Sequence, residues 1–526
     1  MDTWMYLMQG FSIALDPYNI LIALIGCFIG TIVGMLPGLG PINGVAILLP
    51  LAFAMNLPAE SAIILLATVY MGCEYGGRIS SILLGIPGDA AAIMTTLDGH
   101  PLAKRGRISS ILLGIPGDAA AIMTTLDGHP LAKKGQAGKA LSISALSSFI
   151  GSFIAICGII LFAPLIAQWS LKFGPAEYFA LIVFGLATLG SMLAQKPIRS
   201  FLSALIGLFL TTIGIDGNTG VYRFTFDSPH LYDGISFVVL VMGLFSVSEI
   251  FLMLEHTQTS QNIINKTGKI LVNIKEFFFC FWTIIRSSII GFFVGVLPGA
   301  GATIASAITY MSEKKIAGEK GKFGQGDLKG VAAPEAANNA SACGSFIPML
   351  TLGLPGSGTT AVMMGALTLY NITPGPTMFT DQVNIVWGLI ASLLFANVIL
   401  LLMNLPLVGI FVKILSIPMW SLAPIIAIVS IIGVYSINST DFDIILILII
   451  GILGYFLRKL EFPMAPLILG FVLGEQLETN LRRALSISNG DFSILWSGII
   501  AQSLLIGAVL IILIPLLIKK LRKSKF

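Results

Sequence analysis

Glu335, Asn338 and Asn339 fall within about one helical turn of each other inside GVAAPEAANNASACGSFIPMLTLGLPGSGTT, Gly330 to Thr360, a polar stretch in an apolar setting. Carboxyl and carboxamide groups held inside a membrane are costly, so they face a cavity or a partner. Their oxygens suit Na⁺, Glu335 suits a proton, and the Asn amides can donate to a carboxylate. Two plainer readings compete. Such groups also glue helices through hydrogen bonds, and Glu335, following Pro334 and a basic loop, could simply open a helix. A ligand role is favoured over glue.

The second set of chemically suggestive residues is four Pro-Gly elements. GMLPGLG (Gly34–Gly40) is echoed by GVLPGAG (Gly295–Gly301), and LGIPGD (Leu84–Asp89) by LGLPGS (Leu352–Ser357), in the same order half a chain apart. Proline ends or kinks a helix, and the following glycine lets a ligand approach the backbone. A helix broken within a membrane leaves free N–H groups and a partial positive charge at the next N-terminus, which suits an anion without Lys or Arg. Carbonyls at the other broken end could take Na⁺. One such element alone reads as a turn; four in matched pairs read as the interrupted segments of a transporter built from two repeats. GLGPING (Gly38–Gly44) lacks a Walker lysine and a βαβ setting, so no nucleotide site is expected.

Only a membrane can position these groups. Of 526 residues, 56% are hydrophobic and 11% charged, against roughly 25% charged in soluble chains. Apolar runs near 18–36, 143–166, 176–195, 198–215, 235–254, 279–297, 383–404, 417–435, 442–457 and 493–518 approach the length needed to cross a ~30 Å hydrocarbon core. Shorter runs near 42–56, 60–72, 341–354 and 357–370 are flanked by Gly and Pro. The expected fold is an all-α polytopic membrane protein with about 10–12 transmembrane helices, broken or re-entrant segments and two structural repeats. The expected halves are 1–256 and 276–526, joined by a basic cytoplasmic linker, 257–275. No basic n-region of a signal peptide precedes the first span. The tail KKLRKSKF places the C-terminus in the cytoplasm by the positive-inside rule, with the basic stretches Lys266–Lys275 and Glu313–Lys329 on the same side. The net charge of +4 reflects this asymmetry and not nucleic-acid binding. Five scattered cysteines read as small core residues, and no Cys/His metal spacing occurs.

The segment GRISSILLGIPGDAAAIMTTLDGHPLAK occurs twice without a change, at 77–104 and 106–133. A divergent second site would have accumulated substitutions, so the repeat reads as a recent duplication or an assembly error. Either Pro87–Asp89 or Pro116–Asp118 is expected to occupy one slot, with the displaced copy poorly ordered. Both ends of each copy are basic (Lys104, Arg105; Lys133, Lys134), which favours a hairpin that enters and leaves on one side.

The chain resembles the large membrane subunit of tripartite tricarboxylate transporters. The resemblance rests on GxLPGxG, YGGRISSILLGIPG…TTLDGHPLAKKGQAGKAL, GIDGNTGVYRFTF, FGQGDLKGVAAPEAANNA, IPMLTLGLPGSGTTAVMMGAL, GYFLRKLEFPMAPLILGFVLG and LRRALSISNGD. It implies a multi-pass permease subunit of the bacterial cytoplasmic (inner) membrane, partnered by a small four-helix membrane subunit and an extracytoplasmic solute-binding protein. Uptake of a carboxylate such as citrate would be driven by Na⁺ or H⁺, without ATP, nucleic acid or any cofactor. By motif, the resemblance points to Pro37, Gly38, Gly40 and Asn43, with Pro87, Gly88, Pro116 and Gly117 in the duplicated elements. In the second half it points to Gly299, Gly301, Glu335, Asn338, Asn339, Pro355, Gly356 and Ser357, with Na⁺ near Asn338 and Ser357. Elevator-like and rocking movements both fit. The alternative is a stand-alone ion-coupled organic-anion carrier. An intramembrane enzyme would need a catalytic pair, and none is convincingly placed.

Overall fold

The computed structural model describes residues 3–36, 39–83, 122–192, 197–255, 272–299, 301–318, 321–414 and 421–523. The chain begins with helices α1 (Thr3–Ala14), α2 (Pro17–Met35), α3 (Pro41–Ala54) and α4 (Ala59–Leu83). After the undescribed stretch come α5 (Ile122–Lys133), α6 (Ala137–Ser170), α7 (Pro175–Met192) and α8 (Pro197–Leu210). A small hairpin pairs Gly214–Ile215 with Tyr222–Arg223. Helix α9 (Phe237–Glu255) follows, with a π turn over Met242–Val247.

The second half opens with α10 (Ile274–Val296), α11 (Gly301–Ala317), α12 (Leu328–Gly344), α13 (Phe346–Leu352) and α14 (Gly358–Leu369). It closes with α15 (Met378–Asp381), α16 (Val383–Asn404), α17 (Val408–Ile414), α18 (Ala423–Asn438), α19 (Asp441–Lys459), α20 (Met464–Ile487) and α21 (Ile499–Lys523). Among the described residues, five helices are long and apolar enough to cross a membrane: α2, α6, α9, α10 and α16. Shorter apolar helices such as Pro41–Ala54 and Gly358–Leu369 fill the interior.

Local sequence explains the starts. Asp16 accepts from Tyr18 N (2.9 Å) ahead of Pro17, whose missing N–H costs nothing at a first helical position. Asn273 and Glu276 form a capping box on α10, and Asp327 accepts from Lys329 N (3.0 Å) on α12. The apolar run 198–215 does not stay helical. Helix α8 ends at Leu210, and Gly214, at φ +116°, turns the chain into the hairpin.

The two halves are packed alike and point in opposite directions. Helices α2 and α4 run parallel and nearly touch: a Cβ at Gly30 would stand 2.4 Å from Val69 O, at Gly34 2.1 Å from Cys73 O, and at Gly76 2.2 Å from Thr31 O. Helices α10 and α12 repeat this: Gly291 would meet Ala337 O at 2.4 Å, Gly295 Ser341 O at 2.2 Å, and Gly344 Phe292 O at 2.7 Å. Small residues four apart permit such backbone contact between membrane helices. The six positions correspond one to one in sequence order, and the same register that aligns Cys73 with Ser341 aligns Leu84 of LGIPG with Leu352 of LGLPG. Helix α6 runs antiparallel to α4, since Arg78 meets Ser144 while Tyr75 reaches Phe149 through Asn397. It runs parallel to the consecutive segment α12–α13, since Ser148 meets Glu335 of α12 and, further along, Ser170 meets Thr351 of α13. Hence α4 and α12 are antiparallel, and the repeats are inverted.

Candidate functional site

The broken elements converge. Helix α3 starts at Gly40 and Pro41, α11 at Gly301, and α14 at Ser357, whose hydroxyl accepts from Thr360 N at 3.2 Å. A Cβ on Gly358 would come 2.7 Å from Ile42 Cδ1, so the starts of α3 and α14 are in contact. Gly299 N donates to Gly356 O at 3.0 Å, joining the two Pro-Gly loops of the second half. Gly299 lies at φ +81° and Gly301 at φ +65°, backbone that a side chain would strain, and among the described residues no atom stands within 4 Å where a Cβ on Gly301 would be. Three helix starts are therefore linked, α3 to α14 by direct contact and the loop before α11 to the loop before α14 by a hydrogen bond. Each carries unspent N–H groups and the positive end of a helix dipole.

Tyr70 of α4 brings the first half to this point. Its hydroxyl lies 3.4 Å from both Ser345 Oγ and Ser357 Oγ, at the starts of α13 and α14. Asn338 lies on the same side of α12 as Ser345, two turns earlier. It is 1% exposed, and among the described residues neither its amide nitrogen nor its amide oxygen has a hydrogen-bond partner; Ser341 Oγ, almost one turn further on, also lacks one there. A buried unsatisfied amide costs ~1–3 kcal/mol, so this group is expensive unless something comes to it.

Glu335 and Asn339 behave differently. Thr124 Oγ1 donates to Glu335 Oε1 at 2.5 Å, Ser148 Oγ donates to Oε2 at 3.1 Å, and Asn339 Nδ2 donates to Ser148 Oγ at 2.8 Å. Arg78, 2% exposed, completes this seam between the halves, donating to Ser144 Oγ at 3.4 Å with its guanidinium 4.6 Å above the Tyr75 ring. These three residues of the PEAANNA motif thus divide: Glu335 and Asn339 lie in an interhelical network, while Asn338 is left open. The helix-start reading of Glu335 fails, because α12 begins at Leu328 under the Asp327 cap, with Pro334 and Glu335 in its second turn.

Of the other expected residues, Gly40 and Asn43 sit at the start of α3, with Asn43 buried. Pro355, Gly356 and Ser357 form the loop into α14. Pro37, Gly38, Pro87, Gly88, Pro116 and Gly117 lie outside the described residues, as does the expected disorder of a displaced copy. Sequence reading missed Tyr70, Arg78, Thr124, Ser148 and Ser345. Arg78 had a signal: a guanidinium in a long apolar helix is itself a functional-site marker. The serine and tyrosine had none, since hydroxyl groups are common in such helices. No group of three His, Cys, Asp or Glu side chains able to hold a metal occurs among the described residues.

Inverted repeats whose interrupted helices meet at a buried polar centre define a membrane transporter. The chain belongs to the Tripartite tricarboxylate transporter TctA family, whose model matches residues 20–108 and 106–469. The match divides at the tandem repeat. Over 518 residues the chain is 39% identical to an Agrobacterium vitis protein described as an uncharacterized 52.8 kDa protein in the TAR-I ttuC' 3' region, covering 98% of this chain and 97% of the relative. A second Agrobacterium vitis protein, described as an uncharacterized protein in the TAR-II ttuC' 3' region, is 49% identical over 224 residues, 42% of this chain and 93% of that protein. No solved structure matches the chain.

Proposed function

We propose that the chain is the permease subunit of a three-part secondary transporter that takes up tricarboxylates or related carboxylates across the bacterial cytoplasmic membrane. An extracytoplasmic binding protein would deliver the acid, a small four-helix subunit would complete the membrane complex, and a Na⁺ or H⁺ gradient would drive uptake. The observation that carries this reading is the linkage of the α3, α11 and α14 starts through the Gly358–Ile42 contact and the Gly299–Gly356 hydrogen bond. Such a centre attracts carboxylates through backbone N–H groups, whose positive charge is fixed and cannot be lost to titration. The open amide of Asn338 and the hydroxyls of Ser341, Ser345 and Ser357 supply donors for the acid and oxygens for a coupling cation. The basic C-terminal tail supports a cytoplasmic C-terminus.

The test is uptake by proteoliposomes holding this chain with its membrane partner, given radiolabelled citrate and smaller dicarboxylates. Imposed Na⁺ and pH gradients would be compared, with and without the binding protein. Accumulation under one gradient that requires the binding protein supports the reading. Equal accumulation without the binding protein would leave a stand-alone carrier, and none under either gradient would overturn the proposal.

A further inference from the structure

The tandem repeat gives this chain two sets of identical residues and only one seam to build. Helix α4 is continuous from Ala59 to Leu83, so the beginning of the first copy, including Arg78, is placed by the helix that packs on α2. Helix α5 runs through a three-residue turn into α6, so the end of the second copy, including Thr124 and Asp127, is placed by α6. The two pieces are packed against each other. His129 Nδ1 lies 3.2 Å from Ile82 O, and a Cβ on Gly128 would come 2.7 Å from Ile82 Cγ1.

Asp127 is the most heavily bonded carboxylate in this region. Its side chain is 0% exposed and accepts from Tyr310 Oη (2.9 Å), Gly324 N (3.0 Å), Gly326 N (2.7 Å) and Asp327 N (2.9 Å). Gly324 and Gly326, at φ +80° and +99°, turn their N–H groups into a concave cradle around it. Asp327 is also the cap of α12. Almost one turn before Asp127, Thr124 donates to Glu335, two turns into α12. Helix α5 is therefore clamped to α12 at two levels, and the upper clamp holds the seam carboxylate.

We propose that the seam is composite: Arg78 of the first copy, together with Thr124 and Asp127 of the second, positions Glu335. Their duplicates Arg107, Thr95 and Asp98 are surplus to it. Chain length permits this. Leu83 and Ile122 are separated by 38 residues, of which one 29-residue period is redundant. The nine that remain, LGIPGDAAA, could span up to ~30 Å, whereas α5 already touches Ile82. The 39%-identical relative points the same way. It is 3.1 kDa lighter (52.8 against 55.9 kDa), which is the mass of one 29-residue period at this chain's mean residue mass.

The experiment compares matched substitutions in the full-length detergent-solubilised chain: Arg78→Gln with Arg107→Gln, Thr124→Val with Thr95→Val, and Asp127→Asn with Asp98→Asn. The first of each pair should lower the melting temperature by several degrees or abolish recovery of folded protein. Its duplicate should match the parent. Labelling of Glu335 by an apolar carbodiimide should rise several-fold in Thr124→Val, but not in Thr124→Ser, which keeps the hydroxyl, nor in Thr95→Val. A chain lacking Leu84–Leu112, one period, retains all three seam residues and should melt no lower than the parent. Equal effects within the pairs, effects confined to the duplicates, no effect in either member, or a destabilised deletion would each overturn the proposal. None of these readouts requires transport, so the inference can fail or stand apart from the function proposed above.

Discussion

Asn338 and Asn339 are adjacent and both buried, and their hydrogen bonding predicts opposite behaviour. Asn338→Ala removes an amide with no partner, so it should leave the melting temperature unchanged or raised. If the amide exists to meet the carboxylate or its coupling ion, uptake by the same variant should fall at least ~10-fold, equivalent to ~1.4 kcal/mol of lost interaction. Asn339→Ala removes bonds to Ser148 Oγ and to Glu335 O, each worth ~1 kcal/mol, and should lower stability first. A melting curve and an uptake curve on each variant separate the two. Loss of stability in Asn338→Ala with unchanged uptake would return that residue to the packing network.

At the scale of elements, the close pairing of α2 with α4 and of α10 with α12 has no room for a methyl group. A Cβ placed at Gly34 or Gly295 would lie 2.1 or 2.2 Å from a carbonyl oxygen on the facing helix, so the helices must part. Gly34→Ala and Gly295→Ala should each cost ~1–3 kcal/mol, read as a fall in melting temperature or in recovered folded protein. Gly409→Ala, with no neighbour among the described residues within 4 Å of the added carbon, is the control and should match the parent. The α14 cap allows a milder test at the candidate site. Ser357→Ala deletes the hydroxyl that accepts from Thr360 N and should cost ~1 kcal/mol.

For the whole molecule, the hairpin beyond α8 is tied to α20 by ion pairs. Arg482 meets Asp216 at 2.9 Å and Glu478 at 2.5 Å, and Arg223 meets Glu478 at 2.9 Å. A hydrogen bond from the Asn218 backbone N–H and the pairing with Arg482 hold the Asp216 carboxyl down to about 2. Because that value lies below the ordinary one, its contribution is intact above pH ~4 and is lost only as the pH falls toward 2. Protease nicking within Gly214–Asp233 should therefore stay flat down to pH ~4 with an acid-tolerant protease and rise below it, while Asp216→Asn should be nicked already at neutral pH. The positive-inside orientation, with the basic Glu313–Lys329 stretch in the cytoplasm, also makes a sidedness prediction. Cysteines introduced at Asn218 and Lys322 should react with a membrane-impermeant thiol reagent from opposite sides, Lys322 from the cytoplasm. Labelling of both from one side would contradict the orientation proposed above.

Sequence by itself determined the solvent, the helical class and the existence of paired broken elements. Each is written in local terms: apolar length and the Pro-Gly interruptions. It also singled out the short segment containing Glu335, Asn338 and Asn339, because charge and amide inside an apolar run are conspicuous. Only tertiary structure decided their roles. Whether an amide is satisfied depends on neighbours hundreds of positions away, such as Ser148 for Asn339, and nothing in the NNA tripeptide tells its two asparagines apart. Tyr70 and Ser345 were invisible for the same reason, since each is an ordinary membrane-helix residue until α4 and α13 are packed together. The opposed direction of the halves was hidden as well, because inversion preserves every motif and its order. It shows only when parallel pairs, α2 with α4 and α10 with α12, are laid across the shared helix α6.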